Sequence, residues 1–467
     1  MTTFRPSPAP RRALRVGFLA MCITGALVAQ PTASRPSVYD PPTTPLDARI
    51  EAARITRTDP PPLPEQVVLP MPPWFRIASR PEEVPISAEH WARAHVLLER
   101  GLTALLDRQG AQGAWMAEAS TAPTDQPDAT SPIGVAVTAL ATKALVQSGR
   151  TDLESGPVAE AVRYILRARR DDGSFEAGAL SNYVTATVVS ALAGIPDVAV
   201  AQPRERARLW LVENQWDQSE GVDAGQDWFG GAGYGTHGRP DLSNTQIMLD
   251  AMYDCGMSPD EPAFQRALAF VSRAQNLKAT NGAEWAGDDG GFIYTPANGG
   301  ESMASEYAGE GRHGEHRPET APPGLRSYGS MTYAGFKSML HAGLSADDVR
   351  VRAAFDWMRR HWTFDENPGL GEQGLYYYYH TVARALAVGQ QTTITDLDGV
   401  AHNWREELID ALARRQQEDG SWVNGTDRWL EANAALATTY AVLALQEALK
   451  PVTATGIDIV DTPSPRP

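Results

Sequence analysis

The sequence predicts an all-α protein built as two concentric rings of helices, and three observations point to that class. Helical segments with one charged face alternate along the chain with Ala-rich segments that have none. The turns joining them repeat a Gly-rich pattern ending in an aromatic residue. Such pairs recur six times in succession, enough to close a ring, with an open solenoid as the alternative.

The chain opens on a segment, residues 1–29, that reads as a secretion signal. Arg11, Arg12 and Arg15 precede the apolar run 16–28, and small residues around Ala29 offer a cleavage site. The Arg11-Arg12 pair is compatible with twin-arginine export. The run is short for a membrane span, and an uncleaved anchor is the alternative. The expected destination is the periplasm or the exterior. Cys22 falls in this segment, so the mature chain keeps Cys255 alone and forms no internal disulfide. Residues 30–87 follow, with Pro41-Pro42, Pro60-Pro61-Pro62 and Pro72-Pro73. Proline lacks a backbone donor and blocks helix continuation, so this stretch is expected to be a linker or an arm, its Trp74-Phe75 packing on the domain.

The helical domain spans 88–448. Its amphipathic segments lie near 88–108, 155–170, 203–216, 261–275, 347–362 and 405–417. The apolar ones lie near 131–148, 182–195, 241–256, 327–342, 373–389 and 431–448. In 158–170, Val162, Ile165 and Leu166 form a stripe beside charged residues, as a surface helix requires. By contrast 186–195 and 432–445 carry no charge at all, and a helix of that kind is buried all round. Ser131-Pro132 supplies an N-cap and a preset first turn. Gly149, Gly194, Gly256, Gly343 and Gly389 stand where the apolar helices should stop, ready for left-handed C-caps. The tail, 449–467, is expected to be disordered.

The formal net charge is −16. A chain of that sign repels nucleic acid and anionic membrane surfaces, and no basic stripe interleaved with aromatics relieves it. Nucleic-acid binding is therefore not expected, and membrane contact only through an uncleaved signal.

The turns are specific. Arg169-Arg170-Asp171-Asp172-Gly173-Ser174-Phe175 and Gln416-Gln417-Glu418-Asp419-Gly420-Ser421-Trp422 are two copies of one pattern. Gln109-Gly110-Ala111-Gln112-Gly113-Ala114-Trp115 and Asp288-Asp289-Gly290-Gly291-Phe292 are looser copies. Asp-Gly makes a tight turn, the aromatic stacks on the preceding helix end, and Gln can bond freed carbonyls. The pattern resembles the repeat of the squalene cyclase and protein prenyltransferase superfamily, over roughly 88–448. That resemblance implies an (α/α)6 toroid, six inner and six outer helices around a central cavity. It does not imply one activity, because the fold hosts cyclases, transferases and binding proteins.

The chemistry of that superfamily has recognisable motifs, and this chain departs from each. Protonating cyclases carry Asp-x-Asp-Asp-Thr at the start of an inner helix. Here Asp241-Leu242-Ser243-Asn244-Thr245 keeps the outer two residues but has no acid in the middle. Asp396-Leu397-Asp398-Gly399 has the spacing in a polar loop and reads as a turn. After Gly290-Gly291-Phe292 a zinc prenyltransferase would bring Asp and Cys, whereas this chain has Ser327-Tyr328-Gly329-Ser330. Leu370-Gly371-Glu372-Gln373 matches a thioester motif without its thiol. No metal and no cofactor is expected from these matches.

The loops entering the inner helices are rich in aromatic and polar residues, and a cavity mouth is expected there. The candidate lining is Trp228, Tyr234, His237, Asn244, Gln246, Tyr328, Gln373, Tyr376, His380, Trp422 and Trp429. Such walls suit an apolar or cationic ligand, and the same residues could instead simply fill the ring. His380 is placed one turn after Tyr376, on its face. His237 and His380 could equally make structural hydrogen bonds. Candidate acids are Asp241 and Glu431, with Asp172 a third. The insert 297–325 holds His313 and His316 among glutamates and reads as a solvated loop, with a lid or a weak metal site as alternatives. The expected function is binding of an apolar, isoprenoid-like ligand or a protein. The alternative is a terpene cyclase-like enzyme with a non-standard acid.

Overall fold

The computed structural model describes residues 75–116, 130–176, 178–304 and 324–452. The signal segment, the arm as far as Trp74, most of the insert (including His313 and His316) and the tail beyond 452 lie outside the described residues.

Among the described residues twelve α-helices follow one another: α1 Ala88–Leu106, α2 Pro132–Gln147, α3 Gly156–Arg167, α4 Ser181–Ala193, α5 Val198–Glu213, α6 Leu242–Asp254, α7 Pro262–Arg273, α8 Gly329–His341, α9 Val349–Arg360, α10 Leu375–Val388, α11 Trp404–Arg415 and α12 Ala434–Ala448. A two-stranded antiparallel hairpin, β1 Ile394–Thr395 and β2 Ala401–His402, is the only sheet among them. Each even-numbered helix packs on the next, and α12 packs back on α2. The even helices therefore form a closed inner ring, and the odd ones sit outside it, each against one or both of its even neighbours. This is the (α/α)6 toroid, and the solenoid alternative falls. No helix among the described residues is long and apolar enough to cross a membrane.

Burial follows the two kinds of sequence. In α3 one stripe is buried, from Val158 to Ile165, while α12 is buried from Ala435 to Ala448 on every side. Ser131 caps α2 by accepting from Gly134 N at 3.3 Å, with Pro132 at the first position. One boundary differs. The outer helix expected from Pro203 begins at Val198, because Asp197 caps it by accepting from Ala199 N at 2.7 Å and Pro203 is tolerated inside.

The turns act as clamps between repeats. The Gln109 side chain donates to Gly113 O and to Pro157 O at the start of α3, each at 2.8 Å. Gln215 and Gln275 repeat this toward α7 and α9. Gln416 donates to Gly420 O and to Leu97 O of α1, each at 3.0 Å, so the last turn is tied to the first helix in the way Gln109, Gln215 and Gln275 tie theirs. Gly420 has a left-handed φ of +84°, and a Cβ there would lie 2.6 Å from Arg100 O. The turn aromatics stay on the preceding helix end: Trp115 Nε1 donates to Leu105 O at 2.8 Å and Trp422 Nε1 to Leu412 O at 2.9 Å.

Two expected left-handed C-caps are not left-handed. Gly149, Gly256 and Gly343 have positive φ, but Gly194 and Gly389 have φ of −85° and −71°. Gly194 answers to packing instead. The Phe75 ring lies so close that an added Cβ would sit 2.0 Å from it. Phe75 thereby anchors the end of the arm against the base of the inner ring. Ala78 N donates to Leu449 O at 2.8 Å and Val452 N to Glu83 O at 3.1 Å, tying arm and C-terminal segment together.

The same end of the ring holds a buried ionic cluster to which all six inner helices contribute. Lys143 of α2 donates to Ser190 Oγ of α4 at 2.7 Å and to Asp254 of α6 at 2.6 Å. Arg384 of α10 pairs with Asp254 and, at 3.1 Å, with Glu447 of α12. Lys450 reaches Glu447 at 2.6 Å. Lys337 of α8 pairs with Asp250 of α6, whose other oxygen meets His341 Nε2 at 3.0 Å. Burial alone would raise both Asp254 and Glu447. The Arg384 and Lys143 cations hold Asp254 far below the usual carboxylate range, and Lys450 and Arg384 hold Glu447 at about 2.

Two measurements test this architecture. Gln416→Ala and Gln275→Ala should each cost about 1–3 kcal/mol in urea denaturation, the loss of two largely half-buried hydrogen bonds. A near-zero effect at Gln416 alone would mean an unclosed ring. Asp254→Asn should cost about 3–5 kcal/mol at pH 7, because it leaves the buried Lys143 without a carboxylate and Arg384 with one fewer. Carboxylates held low in the folded state stabilise it above their unfolded pKa and lose that contribution as pH falls. Wild-type stability should therefore drop between about pH 4.5 and pH 2, and less steeply in Asp254→Asn.

Candidate functional site

The opposite end of the ring is where the loops enter the inner helices. The first turn of a helix leaves backbone N–H groups unpaired, and here the following loop supplies partners. Tyr234 O accepts from Asn182 N and Tyr183 N of α4, Tyr294 O from Leu242 N of α6, and Pro368 O from Gly329 N of α8. Helix α10 begins at Gly374, which has no side chain to cap with. Glu431 fills that role, accepting from Tyr377 N at 2.8 Å, Tyr376 N at 3.2 Å and Asn424 Nδ2 at 2.7 Å. It is 1% exposed, and burial pushes its carboxyl up against these donors.

Asp241 is likewise a cap. Its Oδ1 accepts from Asn244 N at 2.8 Å, and both its oxygens receive the Asn244 side-chain amide, at 3.0 and 2.9 Å. At 2% exposure it is pushed up to about 6 by burial, with Asn244, Arg239 and the Tyr294 hydroxyl opposing. Asp172 stands far from the axis in its turn, accepting from Ser174 N and Oγ at 2.9 and 2.7 Å.

Between rim and ionic floor, side chains from non-adjacent inner helices meet across the axis. Tyr377 of α10 reaches Ser243 Oγ at 3.2 Å and receives Gln246 Nε2 of α6 at 3.0 Å, past the intervening α8. Tyr183 of α4 meets Tyr440 of α12, hydroxyl to hydroxyl at 3.3 Å, past α2. The Tyr377 ring lies edge-on to Tyr440 at 5.8 Å, and His380 stacks on Tyr440 at 5.9 Å. Tyr183, Ser243, Ile247, Tyr377 and His380 are only half-buried, although they lie inside the ring, whereas the outward-facing Tyr376, Tyr378 and Tyr379 are sealed. Because these side chains lie inside the ring and still keep accessible surface, open space remains beside them near the axis, an axial chamber. Burial, with Lys143 and Lys337 nearby, holds His380 down at about 3, so its imidazole is neutral at pH 7. Burial also raises the hydroxyls of Tyr183, Tyr377 and Tyr440, keeping all three protonated.

The predicted lining divides into three groups. Gln246 and His380 stand at the girdle, with Tyr234 above them, its ring 6.2 Å from Tyr183. Trp228, His237, Tyr328, Gln373 and Trp429 belong to the rim loops and helix entries. Trp228 and His237 both pack on Trp216, at 4.9 and 5.4 Å. Gln373 accepts from Arg428, whose guanidinium lies 4.4 Å from the Trp429 ring. Tyr328 is sealed at the head of α8, and Asn244 is committed to Asp241. Tyr376 and Trp422, expected on the cavity wall, lie between the rings instead. Tyr376 bonds Val423 O and packs edge-on to Tyr379, while Trp422 is fully buried against Gly101 of α1 and Val442 of α12. His380 accordingly shares its face with Tyr377, not Tyr376.

Sequence reasoning missed Tyr183, Tyr377 and Tyr440 in the girdle and the whole floor. A signal for the floor exists. Lys143, Asp250, Lys337 and Arg384 are isolated charges, each one turn before the end of an otherwise uncharged or nearly uncharged inner helix. Among the described residues no group of three or more His, Cys, Asp or Glu could hold a metal ion.

No protein-family profile matches the chain, and no curated protein does. Among solved structures the chain is similar to the type II terpene cyclase MstE from Scytonema in its apo form, at 13% identity and a TM-score of 0.43, covering 77% of this chain and 98% of that one. It is also similar to a glycosidase, at 12% identity and a TM-score of 0.39, covering 78% of this chain and 100% of that one. A protein from Actinoplanes gives 15% identity and a TM-score of 0.33, covering 76% of this chain and 99% of that one. Similarities of this size carry nothing about what this chain binds or does. The double ring of helices is visible in its own packing.

Proposed function

We propose that this protein binds a small, largely apolar ligand in the axial chamber and does not cyclise it. The observation that carries the reading is the girdle of Tyr183, Tyr377, His380 and Tyr440, an aromatic wall with accessible surface and polar tips. The carboxylates around it are already engaged. Asp241 and Glu431 cap helices, and Asp250, Asp254 and Glu447 are paired with cations that keep them ionised. A protonating cyclase needs a carboxylic acid with a proton to give, aimed at the substrate. Export through the segment 1–29 belongs to the same reading: a carrier or sensor of a small lipid-like molecule outside the cytoplasm.

Solvent extraction of the purified protein followed by mass spectrometry should yield one co-purified apolar compound near one per chain. Tyr377→Phe should weaken its rebinding about three- to ten-fold, the loss of one hydrogen bond, with little change in melting temperature. Undiminished binding by Tyr377→Phe and His380→Ala together would remove the chamber from the account.

One observation favours the enzymatic alternative, namely that Asp241 is held near 6 beside the Tyr294 hydroxyl. A cyclic product from squalene that disappears in Asp241→Asn would establish it and overturn the binding reading. The same variant has a pH signature. A carboxyl raised in the folded state binds its proton more tightly there, so its contribution to stability falls as pH rises from about 4 through about 6. Asp241→Asn should flatten that part of the stability profile.

A further inference from the structure

We infer that Lys337, acting through Gln246, fixes the hydrogen-bonding direction of Tyr377, so that the girdle presents a hydroxyl donor to the chamber and selects ligands carrying an acceptor oxygen. The inference rests on the chamber being the ligand site and adds what the ligand must offer there.

The direction follows from counting hydrogens. The Lys337 ammonium is buried, has three donors and no acceptor, and lies 2.5 Å from Gln246 Oε1. An amide can be turned either way in principle, but the reversed orientation would press N–H against the ammonium. The Gln246 oxygen therefore faces Lys337 and its NH2 faces Tyr377, where Nε2 lies 3.0 Å from the phenolic oxygen. Asp250 holds Lys337 from the other side, so the cation cannot swing away without leaving a buried carboxylate short of a partner.

With its oxygen occupied by the Gln246 N–H, Tyr377 retains its own hydrogen. The neighbouring Ser243 hydroxyl, 3.2 Å away, has another. One of the two hydrogens makes the bond between them. Whichever residue donates, the second is left over, and among the described residues this pair has no further acceptor. The Tyr183 and Tyr440 hydroxyls count the same way, with one bond between them and one hydrogen to spare. Neutral His380 adds one ring N–H and one acceptor nitrogen, so it leaves the excess of hydrogens from the two hydroxyl pairs unchanged. The chamber thus has donors in surplus, and a carbonyl, ester or carboxyl oxygen on an otherwise apolar body satisfies them. A plain hydrocarbon leaves them unpaired.

Lys337 is a positioning residue here, and the test reads selectivity as well as affinity. The probes are 2-acetylnaphthalene, whose carbonyl only accepts, and 2-ethylnaphthalene, a near-isostere that does neither, titrated by fluorescence. Wild type should prefer the ketone about five- to ten-fold, the value of one buried hydrogen bond. Lys337→Met frees the Gln246 amide to turn and should lose that preference while still binding the hydrocarbon. Should Lys337→Met fail to fold, Gln246→Glu serves. The new carboxylate would accept from Lys337 with one oxygen and from the Tyr377 hydroxyl with the other, drawing the hydrogen out of the chamber and again abolishing the preference. Equal binding of the two probes by wild type, or an unchanged ratio in Gln246→Glu, overturns the inference. Neutron diffraction on the ligand-free protein reads the orientation directly. Deuterium on the Tyr377 oxygen pointing toward Gln246 also overturns it. Deuterium pointing away while neither probe binds upholds the orientation and counts against the chamber as a ligand site.

Discussion

Six parallel helices packed as a closed ring bring six C-terminal ends together on one axis, and the structure depends on how that convergence is resolved. The last carbonyls of each helix are unpaired and carry partial negative charge. Lys143, Lys337, Arg384 and Lys450 are gathered at this end, and Asp250, Asp254 and Glu447 hold them in place. Ions buried this deeply are tolerable only when paired and hydrogen-bonded, so the cluster specifies the ring strictly. Each inner helix must arrive at the right height and rotation for its cluster residues to find their partners. Phe75 covers the cluster from below, 5.7 Å from the Lys143 ammonium.

The opposite end meets the complementary problem. Helix N-termini offer unpaired N–H groups and attract acceptors, and carboxylates gather there for that reason. Asp241 and Glu431 sit at such positions, and the donors they engage draw on the same oxygens an acid would need for its proton. The position that suggested catalysis in the sequence is thus one that helix capping explains. What remains for a ligand is the zone between the two ends. There the girdle residues cross the axis, and polar groups are neutral hydroxyls and imidazole rather than ions.

The clamp turns convert six similar segments into a ring. A glutamine amide spans its own turn and the next outer helix, and a glycine lets the two backbones touch where any side chain would collide. Gln416 performs this for the final pair by reaching α1. Closure is therefore made with the same parts as the joints at Gln109, Gln215 and Gln275, and the arm and C-terminal segment reinforce it through Ala78 and Leu449.

The class of fold, the helix order and the clamp turns were legible in the sequence, because each rests on short-range patterns: a 3.6-residue periodicity, an Asp-Gly turn, a capping serine. The start of α5 was misplaced because Pro203 reads as a boundary, whereas Asp197 decides it. The site was legible only in part. Rim aromatics such as Trp228 and Trp429 could be found from loop composition. Which of four consecutive tyrosines faces the axis depends on the rotation of α10, and that is fixed by Arg384 and Glu431 reaching partners far along the chain. The pairing of Lys143 with Asp254, or of Tyr183 with Tyr440, joins residues that share no local pattern. Amino-acid order alone determined that there would be inner and outer helices. Only their packing decided which side chains meet on the axis, because a meeting across a ring is set by the angle and height of every helix at once.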